Sequence, residues 1–239
     1  MKLSDLFNNN SICIFTDSSF KNESKNKSIA IGTTAPAVCI YNGTNLIMQD
    51  FKILHNSTTQ QGELYAILIG IMKSYLYRNY KHIRLFSDSQ VSIFGIRDRI
   101  FKWVRETNEG KNILGENGII KNQDYIMDII YYILSNNIPI ELYHVKGHVK
   151  KSYDSILHAK KVFQISNNIN ENIDDALIYM ISDANNEVDN FSTRMLNQYI
   201  DNPLYNISNM KSDISIGYTQ FDIKTYYNLI KGEIWVDMF

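Results

Sequence analysis

The chain has 239 residues, of which 44% are hydrophobic and 21% are charged, and this balance excludes an intrinsically disordered chain. The net charge of −1 argues against a uniformly basic nucleic-acid binder, but residues 71–160 carry fourteen Lys and Arg against nine Asp and Glu, so this stretch is suited to face a polyanion. No apolar run approaches the roughly 20 residues that span a bilayer, and no signal peptide is recognisable. We therefore expect a protein of the cytoplasm or another intracellular compartment, with no membrane partner.

Apolar runs predict five strands, arranged as three strands, a helix, a strand, two helices, a strand and a final helix. The predicted strands are residues 11–16, 37–41, 45–53, 83–86 and 138–145. The predicted helices are residues 59–77, 91–104, 122–134 and 183–199. Asn42-Gly43 suits a tight hairpin turn between the second and third strands. This order predicts an α/β fold.

Two segments depart from the regular pattern. Residues 149–182 have no strong period, and we predict an insertion there that contains one short helix and loops out beside the site. Residues 201–239 contain Asn202-Pro203, a pair that interrupts regular secondary structure, and then apolar patches. We predict one main domain over residues 1–200 and a C-terminal extension over residues 201–239.

Four carboxylates border the apolar elements at related places. Asp17 and Asp88 follow two predicted strands, Glu63 lies in the first turn of a helix, and Asp189 lies one turn into the final helix. Because the carboxyl ends of parallel strands meet at one edge of a sheet, we expect these acids to share a pocket. Clustered carboxylates repel one another unless a cation neutralises them, and Mg²⁺ prefers such oxygen ligands. Two such ions about 4 Å apart are an arrangement that cuts phosphodiester bonds.

Five motifs, taken in this order, resemble those of type 1 ribonuclease H across roughly residues 10–200. They are Phe15-Thr16-Asp17-Ser18-Ser19, Gly62-Glu63-Leu64, Phe86-Ser87-Asp88-Ser89-Gln90, Val145-Lys146-Gly147-His148 and Asn185-Asn186-Glu187-Val188-Asp189. The resemblance implies an RNase H-like catalytic domain, with a mixed five-stranded sheet flanked by helices, an insertion before the last helix and a C-terminal extension. Two features depart from the family: Ser18 stands where Gly is usual, and the segment between His148 and Asp189 is longer.

The resemblance also implies roles for individual residues. Asp17, Glu63, Asp88 and Asp189 would bind two Mg²⁺ ions, with Mn²⁺ as a substitute, and His148 would assist proton transfer. Asp183 is a rival for the fourth position, but we prefer Asp189 and expect Asp183 to cap the helix. The residues expected to contact the substrate are Ser18, Ser19, Thr58, Thr59, Gln60, Gln90 and Asn185.

The activity implied by the resemblance is that of an endoribonuclease, which hydrolyses the RNA strand of RNA–DNA hybrids and leaves 5′-phosphate and 3′-hydroxyl ends. Two alternatives stay open at this point. One is an RNase H-fold nuclease acting on another nucleic acid, and the other is a non-catalytic module that binds nucleic acid or protein. We further expect a monomer, with a protein partner at the C-terminal tail or the insertion as an open question.

Overall fold

The computed structural model describes residues 1–23, 30–99, 114–115, 118–119, 121–136, 138 and 140–201. The helix predicted over residues 91–104 is therefore seen only as far as Arg99. The predicted extension beyond residue 201 lies outside the described residues.

The predicted strands and helices occur in the predicted order, together with additional short elements. The strands are β1 (Ser11–Asn22), β2 (Gly32–Asn42), β3 (Asn45–Phe51), β4 (Leu54–Ser57), β5 (His82–Ser87), β6 (Leu114–Gly115), β7 (Gly118–Ile119) and β8 (Ile140–His144). The α-helices are α1 (Leu3–Leu6), α2 (Thr59–Ser74), α3 (Gln90–Phe94), α4 (Gln123–Ser135), α5 (Tyr153–Ser166) and α6 (Asp175–Asp201), and a π-helical turn (Gly95–Arg99) continues α3. Elements α1, β4, β6 and β7 are additional to the prediction. Of the helices in these ranges, none combines the length and apolar character that crossing a bilayer requires.

The main sheet is mixed and has the strand order β3-β2-β1-β5-β8, with β4 paired to β2. Strands β1, β5 and β8 run parallel, whereas β1, β2 and β3 run antiparallel. The predicted hairpin joins β2 to β3, and Gly43 alone of the expected pair takes a positive φ, of 56°, while Asn42 stays in its strand. The α/β fold with a mixed sheet flanked by helices is confirmed.

One face of the sheet carries aliphatic side chains. Ile12 and Ile14 of β1 and Leu85 of β5 point to this face, where they pack against α2 and α4. Alternate residues of a strand point to opposite faces, so each strand contributes to two cores. Gly70 lets α2 approach closely, because a Cβ there would lie 3.0 Å from Leu85 and 3.1 Å from Ile14.

The opposite face is aromatic. Phe15, Phe86 and Tyr143 occupy matching positions on β1, β5 and β8. Their rings stack in a row, with centroids 4.7 Å apart for Phe15 and Phe86 and 5.2 Å apart for Phe86 and Tyr143. Phe7, which follows α1, stacks on Phe15 and Phe86, and α5 and α6 cover the rest of this core.

The predicted structure of residues 149–182, an outward loop with one short helix, is wrong. The segment does not loop out with one short helix but forms the fourteen-residue α5 and the beginning of α6. Ile156, Ala159 and Phe163 of α5 are buried in the aromatic core, and the Phe163 ring stacks on Tyr143 with centroids 5.8 Å apart. The insertion is thus part of the layer that covers the sheet.

Two predicted boundaries are also corrected. Helix α6 begins at Asp175, so Asp183 lies inside it and pairs with Lys151 at 3.1 Å instead of capping a helix, and Asp189 lies near its middle. Strand β1 does not stop at Asp17, because residues 17–22 continue to pair with β2. Its parallel pairing with β5 does end at Thr16, so Asp17 still stands at the carboxyl edge of the parallel strands.

Candidate active site

Three carboxylates lie together at the carboxyl edge of the parallel strands. Asp17 is on β1, Asp88 directly follows β5, and Glu63 is near the N-terminus of α2. One oxygen of each lies within 4.8 Å of the others. Asp17 is only 7% exposed, and the other two are partly buried. The structure therefore brings three of the four predicted acids into one cluster.

Asp189 joins this cluster from α6. The charge of Asp189 helps to raise the pKa of Asp17, as expected for two carboxylates that lie near each other. Oδ2 of Asp189 lies 3.2 Å from Nδ1 of His148, on the loop after β8. Carboxylates gathered in this way repel one another unless a proton or a cation lies between them.

The cluster resists ionisation. Burial, followed by the charge of Asp88, raises the pKa of Asp17 to about 7, although the Ser18 N–H donates to its Oδ1 at 2.7 Å. Burial and the charges of Asp17 and Asp88 raise the pKa of Glu63 well above its ordinary value. Burial also raises the pKa of Asp88, and His148 opposes this rise. Strongly perturbed acids gathered at a sheet edge are typical of a functional site.

The donor set fits a hard divalent cation. Carboxylate oxygens within 4.8 Å of one another are the ligands that Mg²⁺ and Mn²⁺ prefer. Oε2 of Glu63 is buried and has no hydrogen-bond partner, a state that costs free energy in a folded protein. A cation held by Asp17, Glu63 and Asp88, with Asp189 beside them, would satisfy this oxygen and remove the mutual repulsion.

The start of α2 fixes the place of Glu63. The Thr58 hydroxyl accepts from the Gln61 N–H at 3.2 Å, and the Gln61 side chain accepts from the Thr58 N–H at 2.9 Å. This capping box sets where the helix begins. Gly62 lets the helix lie against β1, because a Cβ there would be 2.3 Å from the Ser18 hydroxyl oxygen.

A second glycine brings the loop after β8 against Asp88. A Cβ at Gly147 would lie 2.2 Å from Oδ2 of Asp88, so only glycine fits without displacing the carboxylate. The next residue, His148, has a φ of 51° and a side chain that is 80% exposed. The loop therefore presents an accessible imidazole beside the acidic cluster.

Helix α6 is anchored next to Asp189. The Ser19 N–H donates to the Ser192 hydroxyl at 2.6 Å, and that hydroxyl donates to the Ala35 carbonyl at 2.6 Å. Ser192 is fully buried, so it ties the helix to both β1 and β2. On the same helix, one turn before Asp189, Asn185 is hydrogen-bonded to Asp88, and this bond lowers the pKa of Asp88 against the effect of burial.

The predicted substrate contacts differ in their access to solvent. Thr59 and Gln90 are exposed, at the first residues of α2 and α3. Those that are partly buried are Ser19, Thr58 and Gln60. Ser18 and Asn185 are 6% and 1% exposed, so they are better placed to orient the acids than to meet a large substrate directly.

Sequence reasoning missed three residues that shape the site. Gly62 and Gly147 stand inside the five motifs, next to Glu63 and His148, so the motifs themselves carried a signal for both glycines. Ser192 lies beyond the last motif, and a lone serine in a helix carries no sequence signal of its partners.

The sequence matches the family model for RNase H over residues 9–156, which is more than half of the chain. The chain therefore belongs to the RNase H family. The matched residues include Asp17, Glu63, Asp88 and His148, whereas Asp189 lies beyond them and reaches the site through the packing of α6. No curated protein matches the sequence.

Several solved RNase H structures are similar to this chain at low identity. The PFV RNase H domain in solution is 16% identical over 68% of this chain and 96% of its own, with a TM-score of 0.46. LC11-RNase H1 from compost, in complex with an RNA/DNA hybrid, is 10% identical over 66% of this chain and 96% of its own, with a TM-score of 0.42. RNase H1 from Halobacterium salinarum is 12% identical over 57% of this chain and 86% of its own, with a TM-score of 0.39. The family assignment rests on the sequence match and not on these structures.

Proposed function

We propose that this protein is an endoribonuclease that hydrolyses the RNA strand of RNA–DNA hybrids with two Mg²⁺ ions, for which Mn²⁺ can substitute. The observation that carries the proposal is the cluster of three carboxylates with oxygens within 4.8 Å of one another at the sheet edge. Membership of the RNase H family supports hydrolysis of nucleic acid. The products are expected to carry 5′-phosphate and 3′-hydroxyl ends.

The four acids are the proposed metal ligands. When bound, divalent cations supply the positive charge that activates an attacking water and stabilises the leaving oxygen of the ribose. The charge of Asp189 raises the pKa of Asp17, and the charge of Asp17 raises that of Glu63, so Asp17 lies near both and would be the ligand shared by the two cations. Asn185 favours the ionised form of Asp88 through its hydrogen bond.

His148 is the proposed proton carrier. Its Nδ1 faces Asp189 at 3.2 Å, and the ring is otherwise largely exposed, so Nε2 can meet the substrate or the departing product. Imidazole is the side chain best suited to exchange a proton near neutral pH. The paired carboxylate orients the ring, and Gly147 keeps the loop close to Asp88.

The preference for RNA is assigned to the N-terminal end of α2. Glu63 would lie beside the ribose 2′-hydroxyl at the scissile phosphate, a group that DNA lacks. Thr59 and Gln60 precede it at the start of the helix, and Gln90 lies two residues after Asp88 at the start of α3. We propose that these three polar side chains contact the hybrid.

A cleavage assay on three duplexes tests the proposal. An end-labelled RNA–DNA hybrid, double-stranded RNA and double-stranded DNA are each incubated with Mg²⁺ and the protein. The variants are Asp88→Asn and Asp189→Asn, and the matched control is Asp183→Asn, which removes an acid from the same helix outside the cluster. We expect the wild type and Asp183→Asn to cut only the hybrid, within its RNA strand, and the other two variants to be inactive.

The other outcomes select the alternatives. Equal cutting of all three duplexes would contradict the preference for hybrids and favour a nuclease of broader substrate range. Binding without cutting would favour a non-catalytic module. Loss of activity in Asp183→Asn but not in Asp189→Asn would move the fourth ligand to Asp183.

The remaining expectations belong to the same proposal. Residues 1–200 form the catalytic domain, residues 201–239 are an extension, and the protein acts as a monomer in which the extension or the insertion is open to a protein partner. Light scattering of the full chain during chromatography, with and without the hybrid, measures the oligomeric state.

A further inference from the structure

Asn167, the residue after α5, binds the end of β8 much as an additional strand would. Its Oδ1 accepts from the His144 N–H at 2.9 Å, and its Nδ2 donates to the His144 carbonyl at 2.8 Å. In the described part of the chain β8 is at the edge of the main sheet, so no described strand pairs with these backbone groups on that side. The insertion thus fixes the last residue of β8.

The Asn167 side chain is itself held on two sides. Arg97, on the π-helical turn after α3, donates to Oδ1 of Asn167 at 2.9 Å and to the Ser166 carbonyl at 2.8 Å. The Asn167 amide also donates to the Phe163 carbonyl at 2.8 Å. The junction therefore joins β8 and α5 to the helical segment that begins two residues after Asp88.

The side chain of His144 extends this junction toward the acidic cluster. The ring is 7% exposed, its Nδ1 lies 2.9 Å from the Ser166 hydroxyl oxygen, and it packs edge-on against Phe94. Burial lowers the pKa of His144, and interaction with the nearby backbone of Asp88 opposes this shift. Because Nδ1 lies against Ser166, Nε2 is the ring nitrogen left to interact with the Asp88 backbone.

The backbone after His144 reaches Asp88 as well. The Val145 N–H donates to the Ser87 carbonyl at 3.0 Å, which extends the pairing of β8 with β5 up to the residue before Asp88. Two residues later, Gly147 lies directly against the Asp88 carboxylate. A displacement of His144 would therefore move both the backbone and the loop that hold Asp88 in place.

We propose that Asn167 and His144 are positioning residues through which the insertion sets the geometry of the metal site. They hold loop 145–148 against Asp88 and contact neither substrate nor cation. This inference deepens the proposed function and rests on it. It also gives the insertion a role at the metal site, although α5 packs on the aromatic face of the sheet.

The test compares variants of the junction with a variant elsewhere in the insertion. Asn167→Ala removes the contacts to His144, and His144→Phe keeps a ring against Phe94 but removes both nitrogens. The control Lys160→Ala breaks the 2.7 Å ion pair between α5 and Asp175 of α6, away from the junction. Thermal melts of each variant confirm folding, and Asn167→Asp, which keeps the acceptor and loses the donor, provides a milder change.

Three quantities are measured: Mn²⁺ affinity by calorimetry, hydrogen exchange of the amides in residues 145–149, and kcat and KM on the hybrid. We expect Asn167→Ala and His144→Phe to weaken Mn²⁺ binding and lower kcat by about tenfold each, with KM nearly unchanged, as for other residues that orient metal ligands. Exchange in residues 145–149 should accelerate. Lys160→Ala should leave all three unchanged.

A rescue experiment separates the two nitrogens of His144. His144→Gln places an amide donor near the position of Nε2 and should recover most of the Mn²⁺ affinity, whereas His144→Asn, whose amide lies near Nδ1, should not. Wild-type Mn²⁺ affinity in folded Asn167→Ala and His144→Phe would contradict the positioning role, as would equal losses in Lys160→Ala. Wild-type protein that binds Mn²⁺ but cuts no hybrid would contradict the proposed function alone.

Discussion

The acids at the two ends of the parallel strands have opposite surroundings. At the amino end of β8, Glu141 accepts from the Tyr143 hydroxyl at 2.7 Å and from Nε of Arg84 at 3.2 Å. His82 lies 3.2 Å from its other oxygen. Burial would raise the pKa of Glu141, but these partners together hold it below its ordinary value.

At the carboxyl end, the neighbours of each acid are other acids. Asp17, Glu63 and Asp88 lie within reach of one ion, and the pKa of each is raised. Partnered acids such as Glu141 stabilise the fold, whereas clustered acids destabilise it unless a cation binds. The difference teaches that the direction of a pKa shift, and not burial alone, separates a structural acid from a candidate metal ligand.

The largest effect is expected from Asp17→Asn. It removes the acid whose charge interacts with both Glu63 and Asp189, so cleavage of the hybrid should fall at least about a thousandfold, equivalent to roughly 4 kcal/mol of transition-state stabilisation. Single-turnover rates at saturating Mg²⁺ measure this loss. Retention of more than a tenth of the wild-type rate would contradict a central role for Asp17.

A smaller loss is expected from Gly147→Ala. The added Cβ would lie 2.2 Å from Oδ2 of Asp88, so the loop and the carboxylate must separate, and displacements of about 1 Å at a reacting site cost about a hundredfold in rate. Gly95→Ala is the matched control, because a Cβ there meets nothing within 4 Å. Equal kcat in the two variants would show that the contact between Gly147 and Asp88 has no part in activity.

The pH dependence of the metal-free protein sharpens the same contrast. The folded-state pKa of Asp17 is raised to about 7 from an ordinary value of 3.8, so its contribution to stability is complete below the ordinary value and is lost as the pH rises through about 7. In EDTA, the wild-type melting temperature should fall by about 5 °C more between pH 5 and pH 8 than that of Asp17→Asn. Parallel profiles for the two proteins would refute the raised pKa.

The smallest effect is expected at the opposite end of the sheet. Glu141→Gln leaves the buried Arg84 guanidinium without its carboxylate, but Glu141 is 40% exposed, so the expected loss of stability is only about 1 kcal/mol. Urea unfolding measures this loss. Hybrid cleavage should stay at the wild-type level, and a large drop in kcat would show that the two ends of the strands are not independent.

The sequence predicted the acidic cluster better than the elements around it. Asp17 and Asp88 follow short apolar runs that clearly predict buried strands. The carboxyl ends of parallel strands meet at one edge of the sheet, so the two acids were expected to lie close together. The length of helix α5 was not predicted, because its buried stripe of Ile156, Ala159 and Phe163 is accompanied by exposed apolar residues such as Ile165, which is 77% exposed and obscures the helical period.

Long-range contacts account for the other misses. The extension of β1 past Asp17 depends on pairing with β2. The mostly polar residues 17–22 do not show the apolar pattern that predicts a strand. The junction of His144 with Asn167 joins residues 23 positions apart through side-chain and backbone atoms. No local pattern of residues encodes such a contact, so it is visible only in the three-dimensional structure.

Crystallography with Mn²⁺ tests the central claim most directly. The account predicts an anomalous peak with carboxylate oxygens of Asp17, Glu63 and Asp88 at about 2.1 Å, the distance at which small divalent cations bind oxygen. Crystals soaked in millimolar Mn²⁺ that show no peak among these three residues, or peaks only at other carboxylates, would contradict it.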